Sequence, residues 1–336
     1  MTTVTEVQTT QPLKFWQAVN QALVQEMSRD SSVVLVGEDV GAPGGPYGVT
    51  RGLQAKFGAD RVRDTPISEE LIVGLGVGAA TQGLRPIVEL MFFDFAMLAM
   101  DQIVNQAAKY RYFSGYALPL TIRTMSGAGG SYGAQHCQSF EAWYSGVPGL
   151  TVVMPSNARD AKGLLKSAIR DDDPTLFIET FGLLTVRRDT PVSDEFVIPL
   201  GVAEVRRPGR DVTVVATGRM VDRSLAAAEV LADSGVSIEV IDPRTLSPLD
   251  HDTIVDSVAR TGRIVVVQEA TAPCSVASEV CAVVTESCFG SLRAAPIRVT
   301  SPFVNVPTPV DLVEARAPGV DDIVAAVRTA MDGSRA

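Results

Sequence analysis

The chain is punctuated by short apolar runs that do not alternate with polar residues. SSVVLVG (31–37), PIVELMF (86–92) and the runs at 118–124, 151–154 and 175–179 occupy the first half. DVTVVATG (211–218), VSIEVI (236–241), RIVVVQ (263–268) and 296–300 occupy the second. A strand apolar on both faces is buried on both faces, the mark of parallel sheets covered by helices. Helical spacing fills the gaps, over 13–28, from Ser68 to about 82, and over 96–110, 157–170, 219–234, 250–260, about 275–288 and 320–331. Residues 1–12 read as a loose lead-in. Between 182 and 210 charges cluster and prolines recur, which marks a connection. With 336 residues, about two domains are expected. The predicted fold is α/β, with one mostly parallel sheet in 1–190 and another in 200–336. Ligands of such sheets bind at the carboxyl ends of strands. That directs attention to the loops at 37–48, 64–69, 92–95 and 125–136.

Composition removes several functions. Asp+Glu number 39 against 29 Lys+Arg, a net charge of −10. A broad basic face for nucleic acid or an anionic membrane is not expected. No apolar run reaches the roughly 18 residues of a membrane span, and the polar start MTTVTEVQTTQPLKFW carries no secretory pattern. Four cysteines make no disulfide framework. A cytoplasmic location is the expectation.

Short motifs taken singly say little. GLGVGA (74–79) fits G-x-G-x-x-A, with Asp94 twenty residues beyond Gly74, but no strand leads into the first glycine; close helix packing explains it better. GGSYG (129–133) fits G-x-S-x-G, and Ser131, Asp242 and His251 stand in triad order, yet a flexible loop precedes the serine where a nucleophile elbow needs a strand. Cys274, Cys281 and Cys288 recur every seven residues, which suits buried small hydrophobes on one helix face. Glu69 suits a helix start on dipole grounds alone. His136, Met91 and Phe95, each in isolation, read equally well as structural residues.

Taken together they carry more. DTPISEELIVGLGVGAATQGLRPIVELMFFDFAMLAMDQIVNQAAK (64–109) resembles the beta subunit of the thiamine diphosphate-dependent 2-oxo acid dehydrogenase component, a transketolase-like family. That family includes the pyruvate, branched-chain 2-oxo acid and acetoin dehydrogenases. The likeness runs through GAQHCQSFEAWYSGVPGLTVVMPSNARDAKGLLKSAIRDDDP (133–174), begins at VVLVGEDVGAPGGPYGVTRGL (33–53), and continues more faintly as IEVIDPRTLSPLD and RIVVVQEA. It covers about 20 to 320.

The resemblance implies roles. Glu69 stands where the family's acid hydrogen-bonds N1′ of the cofactor's aminopyrimidine. Met91 and Phe95 match positions lining that ring's pocket. His136 matches a histidine facing the reacting centre and assisting acyl transfer. Ala168, Asp171 and Asp173 match a loop that holds a monovalent cation such as K⁺, with Asp173 in place of the more usual Asn. The first domain would bind the pyrimidine end of thiamine diphosphate and the second would build subunit interfaces.

An absence completes the pattern. The family grips the cofactor's diphosphate through Mg²⁺ with a GDG segment followed by Asn-Asn, and no G-D-G occurs in this chain. The resemblance therefore implies an alpha subunit carrying that motif, in an α2β2 assembly, with a lipoyl or acyl-carrier domain as acceptor. Three segments depart from the family pattern: IETFGLL (178–184), APCSVASE (272–279) and TSPF (300–303). They leave open a two-carbon ketol transfer that loads a lipoyl or carrier domain. A non-catalytic scaffold subunit is the alternative of another class, and Glu69, Phe95 and His136 speak against it.

Overall fold

Val212–Ala216 is buried at all five positions, and the apolar runs become strands of two sheets, all of them interior except the run at 296–300, which forms an edge. The computed structural model describes residues 9–127 and 132–333. In chain order the strands are β1 (Thr10–Lys14), β2 (Val33–Gly37), β3 (Val62–Asp64), β4 (Arg85–Leu90), β5 (Thr121–Ser126), β6 (Thr151–Val153), β7 (Thr175–Thr180), β8 (Arg187–Pro191), β9 (Glu204–Arg207), β10 (Val212–Ala216), β11 (Ile238–Asp242), β12 (Thr245–Ser247), β13 (Ile264–Thr271) and β14 (Ile297–Ser301). One sheet has the order β12-β6-β7-β5-β4-β2-β3, the other β14-β13-β10-β11-β9. Within them β12 and β9 are the antiparallel members; the remaining pairings are parallel. Helices cover both faces, as the buried strands require.

The segments read as irregular hold the departures. Thr10 onward is not a loose lead-in: β1 pairs antiparallel with β8, Leu13 opposite Arg188. The 182–210 connection thus contributes two strands, β8 and β9, which its charged and proline-rich composition disguised. The helix expected over 96–110 is broken into a 3₁₀ turn at Phe93–Met97, a π-helical stretch at Gln102–Ala107 and a short helix at Tyr110–Ser114. In the π stretch the Ala108 N–H reaches back to the Ile103 carbonyl, and the widened turn puts Ile103 and Ala107 in the core together.

The two halves are not independent. β12 belongs by sequence to the second half but pairs with β6 of the first sheet, Thr245 opposite Val153. One apolar core runs through both, joining Ile72, Val88 and Leu120 to Val215, Ile241 and Val280. Beside it the Ser156 hydroxyl donates to Asp242, and Arg244 grips Asp160 through Nε (3.1 Å) and Nη2 (3.0 Å). Burial, then the nearby Asp160, pushes the Asp242 carboxyl up to about 7.

GLGVGA lies inside the helix Glu69–Thr81 and not at a strand-to-helix turn. A Cβ on Gly76 would stand 2.6 Å from Val88 Cγ1 and 2.9 Å from Leu120 Cδ1. The glycine lets the helix lie close against β4 and β5, which is the packing reading of the motif.

Candidate active site

Parallel pairing puts Gly37 beside both Asp64 and Glu89, so β2, β3 and β4 end level with one another. The loops leaving these ends carry the chemistry. Glu38 follows β2, Glu69 comes shortly after β3 at the start of its helix, and Met91–Phe95 follow β4. Glu69 is 8% exposed, and its carboxylate has no hydrogen-bond or ion-pair partner among the described residues. A helix N-terminus favours the negative charge. The neighbouring Glu38 carboxyl is raised above the ordinary range by burial first, then by Asp39 and Glu69. Two acids thus share one corner, and neither makes an ion pair among the described residues.

Aromatic rings cluster on the same loops. His136 stands edge-on to Phe92 (5.1 Å) and to Phe95 (5.2 Å). Tyr132 meets Phe92 at 5.5 Å and Phe181 at 5.6 Å, and Tyr47 meets Phe181 at 4.9 Å. The Tyr47 hydroxyl donates to that of Tyr132 at 2.7 Å. Met91 is half-buried just before Phe92. Asp94, twenty residues beyond Gly74, accepts from Gln138 Nε2 (2.7 Å) and from the Gln138 backbone N–H (3.3 Å). Glu141, buried, follows His136 by five positions; desolvation, with Glu269 adding, pushes its carboxyl up to about 7.

Glu69 and the His136–Phe95 cluster therefore sit on the same edge of the first sheet. The sequence reading missed Glu38, Tyr47, Phe92, Tyr132 and Phe181. Four of these lie in loops that strand ends had already marked, and Phe181 lies in a segment that departs from the family pattern. The other two departing segments meet elsewhere. Pro273, Cys274 and Ser275 line a cavity of about 440 Å³ together with Phe303, Trp143 and Arg316.

The cation corner is already supplied with positive charge. Arg111 pairs with the Asp173 carboxylate, and Asp171 Oδ1 accepts the Asp173 N–H at 2.8 Å. Arg85 Nη2 donates to the carbonyls of Arg170 and Asp171, both at 2.6 Å, and Nε to that of Ile169 at 2.9 Å. The Ala168 carbonyl accepts the Asp171 N–H at 3.3 Å. Ala168, Asp171 and Asp173 lie together at this corner, and the Arg85 and Arg111 guanidinium groups share its oxygens.

The discarded motifs find other roles among the described residues. Asp242 is engaged by Ser156 and the Arg244 N–H, while His251 opens an exposed helix start; Ser131 lies outside the described residues. Cys274 precedes the helix Val276–Cys288 and does not share a face with Cys281 and Cys288; burial pushes the Cys281 thiol up to about 11. No cluster of three or more His, Cys, Asp or Glu suited to a metal occurs among the described residues.

The chemistry of the donor set fits an aminopyrimidine. Glu69, 8% exposed as a residue and with no carboxylate partner among the described residues, offers an acceptor for a ring N–H, and the aromatic rings on the same sheet edge suit a flat heterocycle.

Comparison with known proteins agrees with this geometry. The pyrimidine-binding domain family of transketolase matches residues 11–186, and the transketolase C-terminal domain family matches 201–323. The beta subunit of acetoin:2,6-dichlorophenolindophenol oxidoreductase from Cupriavidus necator is 46% identical over 330 residues, covering 95% of this chain and 97% of that one. The beta-2 subunit of the mitochondrial pyruvate dehydrogenase E1 component from Oryza sativa is 44% identical, covering 94% and 85%. A split-gene transketolase solved as an inactive beta4 tetramer superimposes with a TM-score of 0.80 at 25% identity, over 96% of this chain and all of that one. The chain belongs to the transketolase-like family of beta subunits of the thiamine diphosphate-dependent 2-oxo acid dehydrogenase component.

Proposed function

We propose that the chain is the beta half of an enzyme that decarboxylates a 2-oxo acid and passes the acyl unit to a lipoyl arm. The single observation carrying this is Glu69, a largely buried residue whose carboxylate has no partner among the described residues, on the sheet edge that also presents His136 and Phe95. Glu69 would hold a proton at N1′ of the aminopyrimidine, Met91 and Phe95 would flank the ring, and both roles need only side chains already on this edge. When bound, thiamine diphosphate supplies the sink for the electron pair of the broken C1–C2 bond. His136, confined edge-on between Phe92 and Phe95, gives or takes one proton during acyl transfer. In that transfer the lipoyl S–S bond opens; one sulfur takes the acyl carbon and the other a proton.

The absence of G-D-G supports assigning the diphosphate and Mg²⁺ to a separate alpha subunit, in an α2β2 assembly. Residues 1–190 would then form the pyrimidine half of the site and 200–336 would mainly form subunit contacts. A monovalent cation at Ala168, Asp171 and Asp173 would share that corner with Arg85 and Arg111 and would serve structure, since no step of the reaction is routed through it. Cytoplasmic assembly is part of the reading, supported by Cys274, Cys281 and Cys288 forming no disulfide. No helix of the described residues is long and apolar enough to cross a membrane.

The test is reconstitution with a GDG-bearing alpha chain, thiamine diphosphate and Mg²⁺, assayed by 2-oxo acid-dependent reduction of an artificial acceptor. Turnover with the native chain and a loss of roughly 10²- to 10⁴-fold in Glu69→Gln, at unchanged assembly, is the expected result. Near-native turnover in Glu69→Gln removes Glu69 from the mechanism.

A further inference from the structure

The segment 133–138, which carries His136, crosses the seam between the two halves of the chain. On the side of the first sheet Gln138 holds it: its side chain and backbone N–H donate to Asp94, and its carbonyl accepts the Ser126 hydroxyl at 3.2 Å. On the other side it meets the loop between β14 and the helix Val310–Arg316. Cys137, buried, packs with Val306 from that loop and Val313 from that helix in an apolar cluster of its own, separate from the larger cores. Gly133 stands at φ 74°, and a Cβ there would lie 2.9 Å from Thr308 Oγ1, so the same loop also presses on the start of the segment. Beside the cluster lies the cavity of about 440 Å³, lined among others by Gln138, Ser139, Asn305, Val306 and Arg316. The segment therefore has space to shift on this side, which a close-packed interior does not offer.

We infer that Val306 and Val313 are positioning residues for His136. This rests on the function proposed above, in which His136 moves a proton during acyl transfer, and it gives the second half of the chain a part in the reaction besides subunit contacts. His136 and Cys137 are adjacent, so a Cys137 side chain seated in an apolar socket fixes the backbone that carries the imidazole. Phe92 and Phe95 confine the ring, and the socket confines the chain beneath it. Truncating either valine opens a gap beside an existing cavity, into which the segment can move. A displacement of about 1 Å in a catalytic group costs up to about 10²-fold in rate. The valines meet Cys137 and not the Glu69 corner, so their effect runs through the step that needs His136. The loop bearing Val306 follows directly on TSPF, one of the segments that depart from the family pattern.

The experiment measures single-turnover decarboxylation of a 2-oxo acid and acyl transfer to a lipoyl domain separately, in the reconstituted complex. It uses the native chain, Val306→Ala, Val313→Ala and the double variant, each also in a His136→Ala background. Either valine variant should slow acyl transfer about tenfold, and the double variant up to about 10²-fold. Decarboxylation and thiamine diphosphate affinity should stay within about twofold of native. Val306→Ile keeps the socket filled and should keep the native ratio of the two steps. In the His136→Ala background the valine changes should slow acyl transfer no further, since they act through that side chain. Val327→Ala, an equal truncation in a core of the second half away from the seam, should lower Tm without separating the two steps. Where the double variant does not assemble, Val306→Ala alone, in its loop, decides. No loss of acyl transfer, equal losses in both steps, or losses that add to that of His136→Ala overturn the positioning role and leave the proposed function standing. A native complex that turns over no 2-oxo acid, or a His136→Ala complex with native acyl transfer, overturns both.

Discussion

Gln138 donates to Asp94 twice, from its side chain at 2.7 Å and from its backbone at 3.3 Å, across 44 residues of chain. This pair fixes the loop carrying His136 against the turn carrying Phe92 and Phe95. Asp94 is itself buried, and burial holds its carboxyl above the usual range despite the Gln138 bonds. It positions the site and touches no reacting atom.

Asp94→Ala should therefore lower kcat by about 10- to 100-fold, since small displacements of a catalytic group are costly. Asp94→Asn keeps an acceptor for Gln138 and should retain most of the activity. Cofactor affinity, which the proposed function assigns to Glu69 and the partner, should stay level in both. Steady-state kinetics with cofactor titration separates the cases, and equal losses in Ala and Asn would point to the charge of Asp94 instead.

Glu141 gives the molecule a pH-dependent weakness. Its carboxyl is held at about 7 in the folded chain against 4.5 as the ordinary value, with one oxygen lacking a hydrogen bond. The folded state binds that proton more tightly than the unfolded one. Stability from this group is therefore full below about 4.5 and is lost as pH rises through about 7. Glu141→Gln should raise Tm relative to the native chain at pH 8, by an amount equivalent to about 3 kcal/mol, and should change it little at pH 5. Thermal melts across that range decide it; a Tm gain independent of pH would contradict the assignment.

The glycines of GLGVGA separate packing from propensity. Gly76→Ala drives a Cβ into Val88 and Leu120 and should cost about 1–3 kcal/mol. Gly78 has nothing within 4 Å of its added Cβ, so Gly78→Ala should stabilise the isolated chain by about 1 kcal/mol through helix propensity. Urea unfolding of the two variants should move in opposite directions.

Those glycines also show how far the sequence could be read. A nucleotide fingerprint needs a strand before the first glycine, and TPISEELIV does not look like one; the helix found there confirms the packing reading. Buried strands announced themselves because a parallel strand is apolar on both faces. β1 and β8 did not, because a two-stranded ribbon is held by its backbone ladder and not by an apolar pattern. β12 was hidden for a related reason: three residues, Thr245–Ser247, carry no periodicity, and their partner lies in the other half of the chain. At the site, Glu69, Met91, Phe95 and His136 came through resemblance to whole motifs. The contacts among Tyr47, Tyr132 and Phe181 did not, because they depend on three loops meeting, which spacing along the chain cannot express. The cation corner read well as oxygen-rich, but Arg111 lies 62 residues from Asp173 and claims it only in the fold.

Titration of thiamine diphosphate with Mg²⁺ against this chain alone, against a GDG-bearing alpha chain alone, and against the two together measures most directly whether the cofactor site is divided between polypeptides. The expected result is weak binding to either chain by itself and tight, stoichiometric binding to the mixture, reduced when Glu69 is replaced by alanine. Tight stoichiometric binding to this chain alone, or binding to the mixture indifferent to Glu69, would contradict it.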